Sequence, residues 1–128
     1  MNILEDFIDD MPYQERLNAT FQQDGAPAHT ANATLNFLEE KFPGRVVSKG
    51  LWPPRSPDLT PCDFFFWGAL KSHIHFHKPA TIDQLKDVVS EFLTSITETT
   101  LNLVFQNLDK RFHLCHEKGG GLIENFLK

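Results

Sequence analysis

The chain has 128 residues, of which 41% are hydrophobic, so it is long enough for one domain or a part of one. Its net charge of −5 argues against a simple DNA-coating protein, and its two cysteines, Cys62 and Cys115, are too few for a disulfide scaffold. The longest apolar run, 64–70, is too short to span a membrane, and the acidic N-terminal residues do not fit a signal peptide. We therefore expect a soluble, intracellular protein.

The first part of the chain is predicted to alternate helices and strands. Apolar residues at helical spacing predict a helix over Asn2–Asp10. A short strand over 18–23 leads to Asp24, after which Gly25-Ala26-Pro27 breaks regular structure. A second helix is predicted over 28–42, and a second strand over 45–48.

The rest of the chain is predicted to be a loop followed by three helices. Four prolines in 49–61 predict a stiff, extended loop, and a helix is expected to run from Pro61 towards His75. Thr81 and Gln84 have the spacing of a capping box at the start of the next helix. The apolar stripes of the last two helices are Leu85, Val88, Val89, Phe92, Leu93 and Ile96, and then Leu101, Val104, Phe105, Leu108, Phe112 and Cys115.

Two strands are too few for a stable sheet of their own, since independently stable sheets usually have three or more. We therefore interpret the fold class as α/β, with two short strands and several helices that belong to a larger fold.

Two carboxylates stand out by their positions in these elements. Asp24 closes a strand, and the carboxyl ends of strands are where α/β folds bind ligands. Asp63 lies in the first turn of a helix, where the helix dipole favours an ionised acid. Each also has a simpler interpretation: Asp24 as a turn residue, and Asp63 as a charge at a helix start. The spacing of the two residues alone does not decide between the two interpretations.

Positive charge is concentrated in one segment. Residues 41–78 contain six basic residues and two acids, a net charge of +4, which leaves −9 for the remainder. The segment is either ordinary solvated surface or a basic rim that neutralises phosphates. Lys49, Arg55 and Lys71 are its candidate DNA contacts.

Two segments carry a resemblance to a known family. Phe21-Gln22-Gln23-Asp24-Gly25-Ala26-Pro27-Ala28-His29-Thr30 resembles the mariner-type transposase segment in which an Asp ends a strand before an Ala-Pro-x-His turn. Residues 52–63, which end in Ser56-Pro57-Asp58-Leu59-Thr60-Pro61-Cys62-Asp63, resemble the same family's Ser-Pro-Asp-Leu-x-Pro-x-Asp segment.

The resemblance implies a ribonuclease H-like fold and metal-dependent DNA cleavage and strand transfer. It assigns the second and third catalytic, metal-binding carboxylates to Asp24 and Asp63, with two Mg²⁺ or Mn²⁺ ions as the cofactors. His29 would lie beside Asp24, as a supporting residue or as a polar residue at a helix start. Asp58 would instead make an Asx-type side-chain bond within the loop. The implied partner is DNA, at the transposon ends in the family; a homodimer is compatible with the resemblance, and the implied location is the nucleus.

The resemblance also predicts what the chain lacks. No motif in the 23 residues before Asp24 matches the family's first catalytic acid, so we interpret 1–128 as a truncated ribonuclease H-like catalytic domain without its early strands and DNA-binding region. Such a fragment is expected to be inactive alone, and at most to bind nucleic acid. Two alternatives stay open: a non-catalytic DNA- or protein-binding module, and a relic without function.

Histidine and tryptophan residues outside these motifs are interpreted as structural. His73, His75 and His77 alternate, which predicts different helix faces and no metal cluster. His113 and His116 are predicted to be exposed, and Cys115 to lie in the core. Trp67 is predicted to lie in the core, whereas Trp52 could lie there or stack on a base.

Overall fold

The computed structural model of the chain describes residues 3–127 and divides them into two compact units that meet between Arg55 and Ser56. The break falls inside the proline-rich loop, where few backbone hydrogen bonds can form. Over the described residues, no helix is long and apolar enough to cross a membrane. The helices are α1 Ile3–Asp10, α2 Tyr13–Asn18, α3 Asn32–Lys41, α4 Trp67–His77, α5 Ile82–Ser95 and α6 Glu98–Glu117, and the strands are β1 Phe21–Gln22 and β2 Val46–Val47.

The first unit contains α1, α2, α3 and the two strands. Phe21 pairs with Val46 and Gln22 with Val47 in parallel register, so α3 is the crossover between two parallel strands. Ile8, Leu38 and Phe42 are buried together, and the rings of Phe21 and Phe42 lie 5.6 Å apart. The apolar face of α1, the crossover helix and the strand pair therefore share one core.

The predicted helices and strands of the first unit are present in the structure, but α3 and both strands are shorter than predicted. Helix α3 starts at Asn32 rather than at 28, because residues 27–30 form a turn, and each strand has only two residues. Helix α1 is confirmed from Ile3, and the predicted start at Asn2 lies outside the described residues. Helix α2 was not predicted; its six residues have no buried side chain, so the sequence contains no apolar stripe to reveal it.

The second unit contains a 3₁₀ turn over Pro57–Leu59 followed by α4, α5 and α6. Helix α4 is preceded by five residues of π-helix, Cys62–Phe66, in which the N–H of Trp67 donates to the carbonyl of Cys62. The 3₁₀ turn corrects the prediction of a wholly irregular loop, since proline fits the first position of a helical turn.

The N-terminus of α5 has the predicted cap with one difference. The Thr81 hydroxyl accepts from the N–H of Gln84 at 3.2 Å, as a capping box requires. The Gln84 side chain, however, accepts from the N–H of Ala80 at 2.8 Å, one residue before the usual partner. Both bonds satisfy backbone donors at the helix start.

Helix α6 packs through half of the predicted stripe, Val104, Leu108 and Cys115, while Leu101, Phe105 and Phe112 are exposed. Val104 is buried and Leu108, Arg111 and Cys115 are partly buried, whereas Phe105 is 59% exposed. The helix is apolar on more than one face, so periodicity alone cannot select the packed face. Gly119 and Gly120, with φ of 65° and 85°, end the helix as predicted.

Candidate functional site

Asp24 follows the carboxyl end of β1 and is held in a tight turn. Its Oδ1 accepts from the N–H of Ala26 at 3.0 Å and lies 2.5 Å from Nδ1 of His29. The hydrogen bond from Ala26, and then the one from His29, lower the pKa of the Asp24 carboxyl below its usual value of 3.8. Asp24 is therefore ionised at neutral pH, and its side chain is half exposed.

The direction of this shift is set by the turn itself and does not test whether Asp24 shares a site with a second carboxylate. Two carboxylates that share a site should repel, so at least one pKa should rise. For Asp24 the pKa is lowered, because its own turn donates hydrogen bonds to the charged form.

His29 belongs to the turn and not to a helix start, since α3 begins only at Asn32. Its imidazole is half exposed and contacts the Asp24 carboxylate, which is the adjacency that the motif predicts. A histidine bonded in this way fixes the orientation of the carboxylate. The supporting role therefore has a geometric basis in the structure, whereas the alternative role at a helix start does not.

Gln23 anchors the turn and was missed by the sequence interpretation. Its backbone N–H donates to the carbonyl of Val47, which extends the parallel ladder. Its side-chain amide donates to the carbonyl of His29 at 2.8 Å and to the hydroxyl of Ser48 at 3.1 Å. Ser48 is buried beyond the end of β2, so one side chain ties the Asp24 turn to both strands. The sequence gives no signal for the bond to Ser48, because that acceptor lies 25 residues away.

Asp63 lies in the π-helical segment of the second unit and is exposed. Its N–H donates to the carbonyl of Thr60 at 2.9 Å, which begins the helix. Single turns of π-helix widen the backbone spiral and occur frequently at functional sites. Asp24 and Asp63 belong to different compact units, so their approach to each other stays a prediction.

Asp58 and Asp63 line one cavity of about 360 Å³ together with Arg111. Asp58 is only 8% exposed, and its main-chain carbonyl accepts from the Arg111 guanidinium at 2.8 Å. This bond involves the main chain of Asp58, so the predicted Asx-type bond of its side chain stays a prediction. The same guanidinium lies 4.1 Å from the centre of the Phe64 ring, so Arg111 joins α6 to the turn that contains Asp58 and to the π-helical segment that contains Asp63.

Arg111 was missed because it falls between apolar positions of a helix and is typical of a solvated charge. Its Nε also donates to the Asn107 side chain, at 2.5 Å. The Arg111 guanidinium contacts the Phe64 ring and the Asp58 carbonyl, so Arg111 stabilises the wall of the cavity.

Two residues of the basic segment are used in the packing of the first unit. Lys41 pairs with Asp9 at 3.1 Å, and Arg45 donates to the carbonyls of Arg16 and Ala19, so both support the first unit. The three predicted DNA contacts, Lys49, Arg55 and Lys71, are all exposed.

An open cavity of about 430 Å³ adjoins Lys49 in the first unit. Gly25, Trp52 and Pro53 also line it, so the cavity reaches the turn that contains Asp24. Trp52 is partly buried, whereas Trp67 is 47% exposed, which contradicts its predicted core position.

The histidine predictions are corrected at one point. His113 and His116 are exposed and Cys115 is partly buried, in agreement with the sequence interpretation. His75 is exposed, whereas His73 and His77 are four residues apart and share one helix face, with ring centres 4.3 Å apart. A spacing of two residues places successive histidines on different helix faces, whereas the spacing of four between His73 and His77 returns to the same face.

Comparison with known proteins gives one informative similarity. No family model matches the chain, and no solved structure matches it. The chain is 28% identical over 101 residues to the protein named Transposable element Tc3 transposase of Caenorhabditis elegans, a match that covers 77% of this chain and 29% of that protein. The chain thus spans less than a third of the length of this curated relative. This distant similarity supports a relationship to transposases.

Proposed function

We propose that the chain is a transposase-derived fragment of the mariner type, containing part of a site for metal-dependent DNA cleavage and strand transfer. The observation that supports the proposal most strongly is the similarity to Tc3 transposase over 77% of the chain. The proposal includes a ribonuclease H-like origin for the parallel strand pair and its crossover helix. It assigns the second and third metal-binding carboxylates to Asp24 and Asp63.

The donor chemistry at Asp24 fits Mg²⁺ or Mn²⁺. The carboxylate is ionised, half exposed and oriented by His29 and the N–H of Ala26, and hard divalent cations prefer carboxylate oxygens. Asp63 is an exposed carboxylate in a widened helical turn. When bound, such ions activate a water or a 3′ hydroxyl and neutralise charge on the phosphoryl oxygens.

The chain's own residues would orient the two carboxylates. Gln23 and Ser48 hold the Asp24 turn against the strand ends, and His29 fixes the direction of the carboxylate. Arg111 holds the loop that precedes Asp63. With only two of the three acids matched by motif in the 128 residues, we propose that this chain does not cleave DNA by itself.

The second candidate function is DNA binding without catalysis. Lys49, Arg55 and Lys71 are exposed, so their ammonium and guanidinium groups can reach phosphates. Lys49 also lines the open cavity beside the Asp24 turn. Such binding would be electrostatic, independent of metal and strongly weakened by salt.

One pair of assays on the 128-residue chain tests both functions. We expect no nicking of supercoiled plasmid in Mg²⁺ or Mn²⁺, and weak DNA binding by fluorescence anisotropy that persists in EDTA. Replacing Lys49, Arg55 and Lys71 by Ala should make binding less dependent on salt. The slope of the logarithm of the binding constant against the logarithm of the salt concentration should fall by roughly one for each phosphate that the variant no longer neutralises.

The matched control is Lys110→Ala, which removes an exposed lysine of α6 outside the basic segment. Plasmid nicking that Asp63→Asn abolishes would overturn the inactivity of the chain. An effect of the triple substitution no larger than that of Lys110→Ala would overturn the assignment of the DNA contacts.

A further inference from the structure

Helices α4 and α5 bring together three side chains that the transposase motifs do not include. His73 and His77 lie four residues apart on one face of α4, and Glu91 lies on α5, which packs against it. One ligand atom from each of these residues lies within 4.8 Å of the others. The three residues belong to one compact unit, so the cluster depends only on the packing of these two helices.

The hydrogen bonding of His77 prepares one of its nitrogens for a ligand. Its Nδ1 lies 3.0 Å from the main-chain carbonyl of His73, an acceptor, so Nδ1 must be the protonated nitrogen that donates. The Nε2 atom is then left with its lone pair. Histidine ligands of metals usually donate their other N–H to such a carbonyl, which fixes the tautomer and the ring orientation.

His73 presents a nitrogen that needs a partner. Its Nε2 atom is buried, and it has no hydrogen-bond partner among the residues that the structure describes. The ring is fixed between His77, at 4.3 Å between centres, and Phe92, at 5.4 Å. A buried polar atom without a partner is unfavourable, and a bound ion is one of the common explanations.

We propose that His73, His77 and Glu91 form a binding site for a zinc-type divalent cation. Two imidazoles and one carboxylate suit Zn²⁺ better than Mg²⁺, which prefers an all-oxygen shell. In a tetrahedral zinc site the ligand atoms lie roughly 3–3.5 Å apart, so side-chain rotations of modest size close the cluster around an ion. The fourth position faces solvent, because His77 and Glu91 are exposed, and it takes a water molecule.

The site is separate from the carboxylates of the transposase motifs and uses different chemistry. A bound ion would join α4 to α5, and so stabilise the second unit in its native arrangement. The inference stands whether or not Asp24 and Asp63 bind a metal.

The test measures Zn²⁺ and Co²⁺ binding by the metal-free 128-residue chain. We expect one tightly bound ion per chain by calorimetry, visible absorption bands of tetrahedral Co²⁺, and a melting temperature that rises with Zn²⁺ concentration. His73→Ala, His77→Ala and Glu91→Gln should each lower the affinity at least tenfold. Because His77 and Glu91 are exposed, their substitution should leave the helical circular dichroism of the chain unchanged.

The controls separate this site from the other metal ligands of the chain. His75→Ala removes an exposed histidine of the same helix, and His116→Ala removes one from α6; neither should change the affinity. Asp24→Asn with Asp63→Asn should also leave Zn²⁺ binding unchanged, which keeps the result independent of the proposed function. Wild-type affinity in both His77→Ala and Glu91→Gln, or an equal loss in His75→Ala, would overturn the proposal.

Discussion

At the residue scale, the acidity of Asp24 is set by its immediate neighbours. The N–H of Ala26 and the imidazole of His29 donate to one carboxylate oxygen and stabilise the charged form. The folded pKa is therefore below the value of 3.8 for an unperturbed aspartate. Above pH 3.8 these contacts contribute their full stabilisation to the fold. The contribution is lost as the pH falls through the lowered pKa of Asp24 in the folded state.

This cause gives a graded prediction for His29→Ala. The pKa of Asp24 should rise in the variant but stay below 3.8, because the larger contribution, from the N–H of Ala26, remains. Carboxyl ¹³C chemical shifts followed through an acid titration measure it directly. His75→Ala is the matched control and should leave the Asp24 titration unchanged. A wild-type pKa at or above 3.8 would contradict the hydrogen-bonded turn.

Contacts between side chains could be predicted from the motif only where the two residues are close in the sequence. The contact between Asp24 and His29 spans five residues, so the motif alone predicts it. The bonds of Gln23 to Ser48 and of Arg111 to Asp58 span 25 and 53 residues, and no local pattern indicates them. The pair His73 and His77 was within reach of sequence reasoning, because a spacing of four places two side chains on one helix face.

At the scale of the elements, the cap of α5 and the end of α6 were predicted, whereas the packed face of α6 was predicted only in part. The Thr81 cap and the Gly119 stop depend on local backbone chemistry, which a short stretch of sequence determines. The face that α6 buries depends on which neighbours it meets. Its apolar residues surround much of the helix, so Val104 is buried while Phe105 is exposed.

The cap of α5 gives a stability prediction. Thr81→Ala removes the acceptor for the N–H of Gln84 and should lower the free energy of unfolding by about 1 kcal/mol. Thr81→Ser keeps the hydroxyl and should retain most of the stability. Thr99→Ala, at an exposed position in the first turn of α6, is the matched control and should change stability by less than about 0.5 kcal/mol. Chemical denaturation followed by circular dichroism measures all three, and equal losses in Thr81→Ala and Thr99→Ala would contradict the cap.

At the scale of the whole molecule, much apolar surface remains uncovered. Among the described residues, fourteen large hydrophobic side chains are exposed, including Leu101, Leu103 and Phe105 on α6. Leu101 and Phe105 are four residues apart, so they share one face of α6, and contiguous exposed apolar surface of this kind favours association. The two-residue strands also leave unpaired backbone groups at the edges of the sheet.

We therefore expect the isolated chain to self-associate with increasing concentration. Sedimentation velocity should show a rising mean mass, and replacing Leu101 and Phe105 together by Gln should lower it, because the change removes apolar surface from α6. Replacing the exposed Lys110 of the same helix by Gln is the control and should leave the association unchanged. A monodisperse monomer with a cooperative melt would show that the exposed surface is compatible with an independent fold.

Under the proposed function, Asp24 and Asp63 would bind metal together, and they belong to different compact units. In a two-metal site the ions lie about 4 Å apart, so the carboxylates that hold them must approach within roughly 10 Å. Binding of Mn²⁺ by the chain, followed by electron paramagnetic resonance of the free ion, tests this proposal most directly. Performing it in the His77→Ala background excludes binding at the histidine cluster.

We predict weak binding of Mn²⁺ that either Asp24→Asn or Asp63→Asn largely removes, with no further loss when the two are combined. Asp58→Asn is the matched control: it lines the same cavity as Asp63 but should change the affinity little. Independent, additive effects of Asp24→Asn and Asp63→Asn, or a loss in Asp58→Asn as large as that in Asp63→Asn, would contradict the shared site.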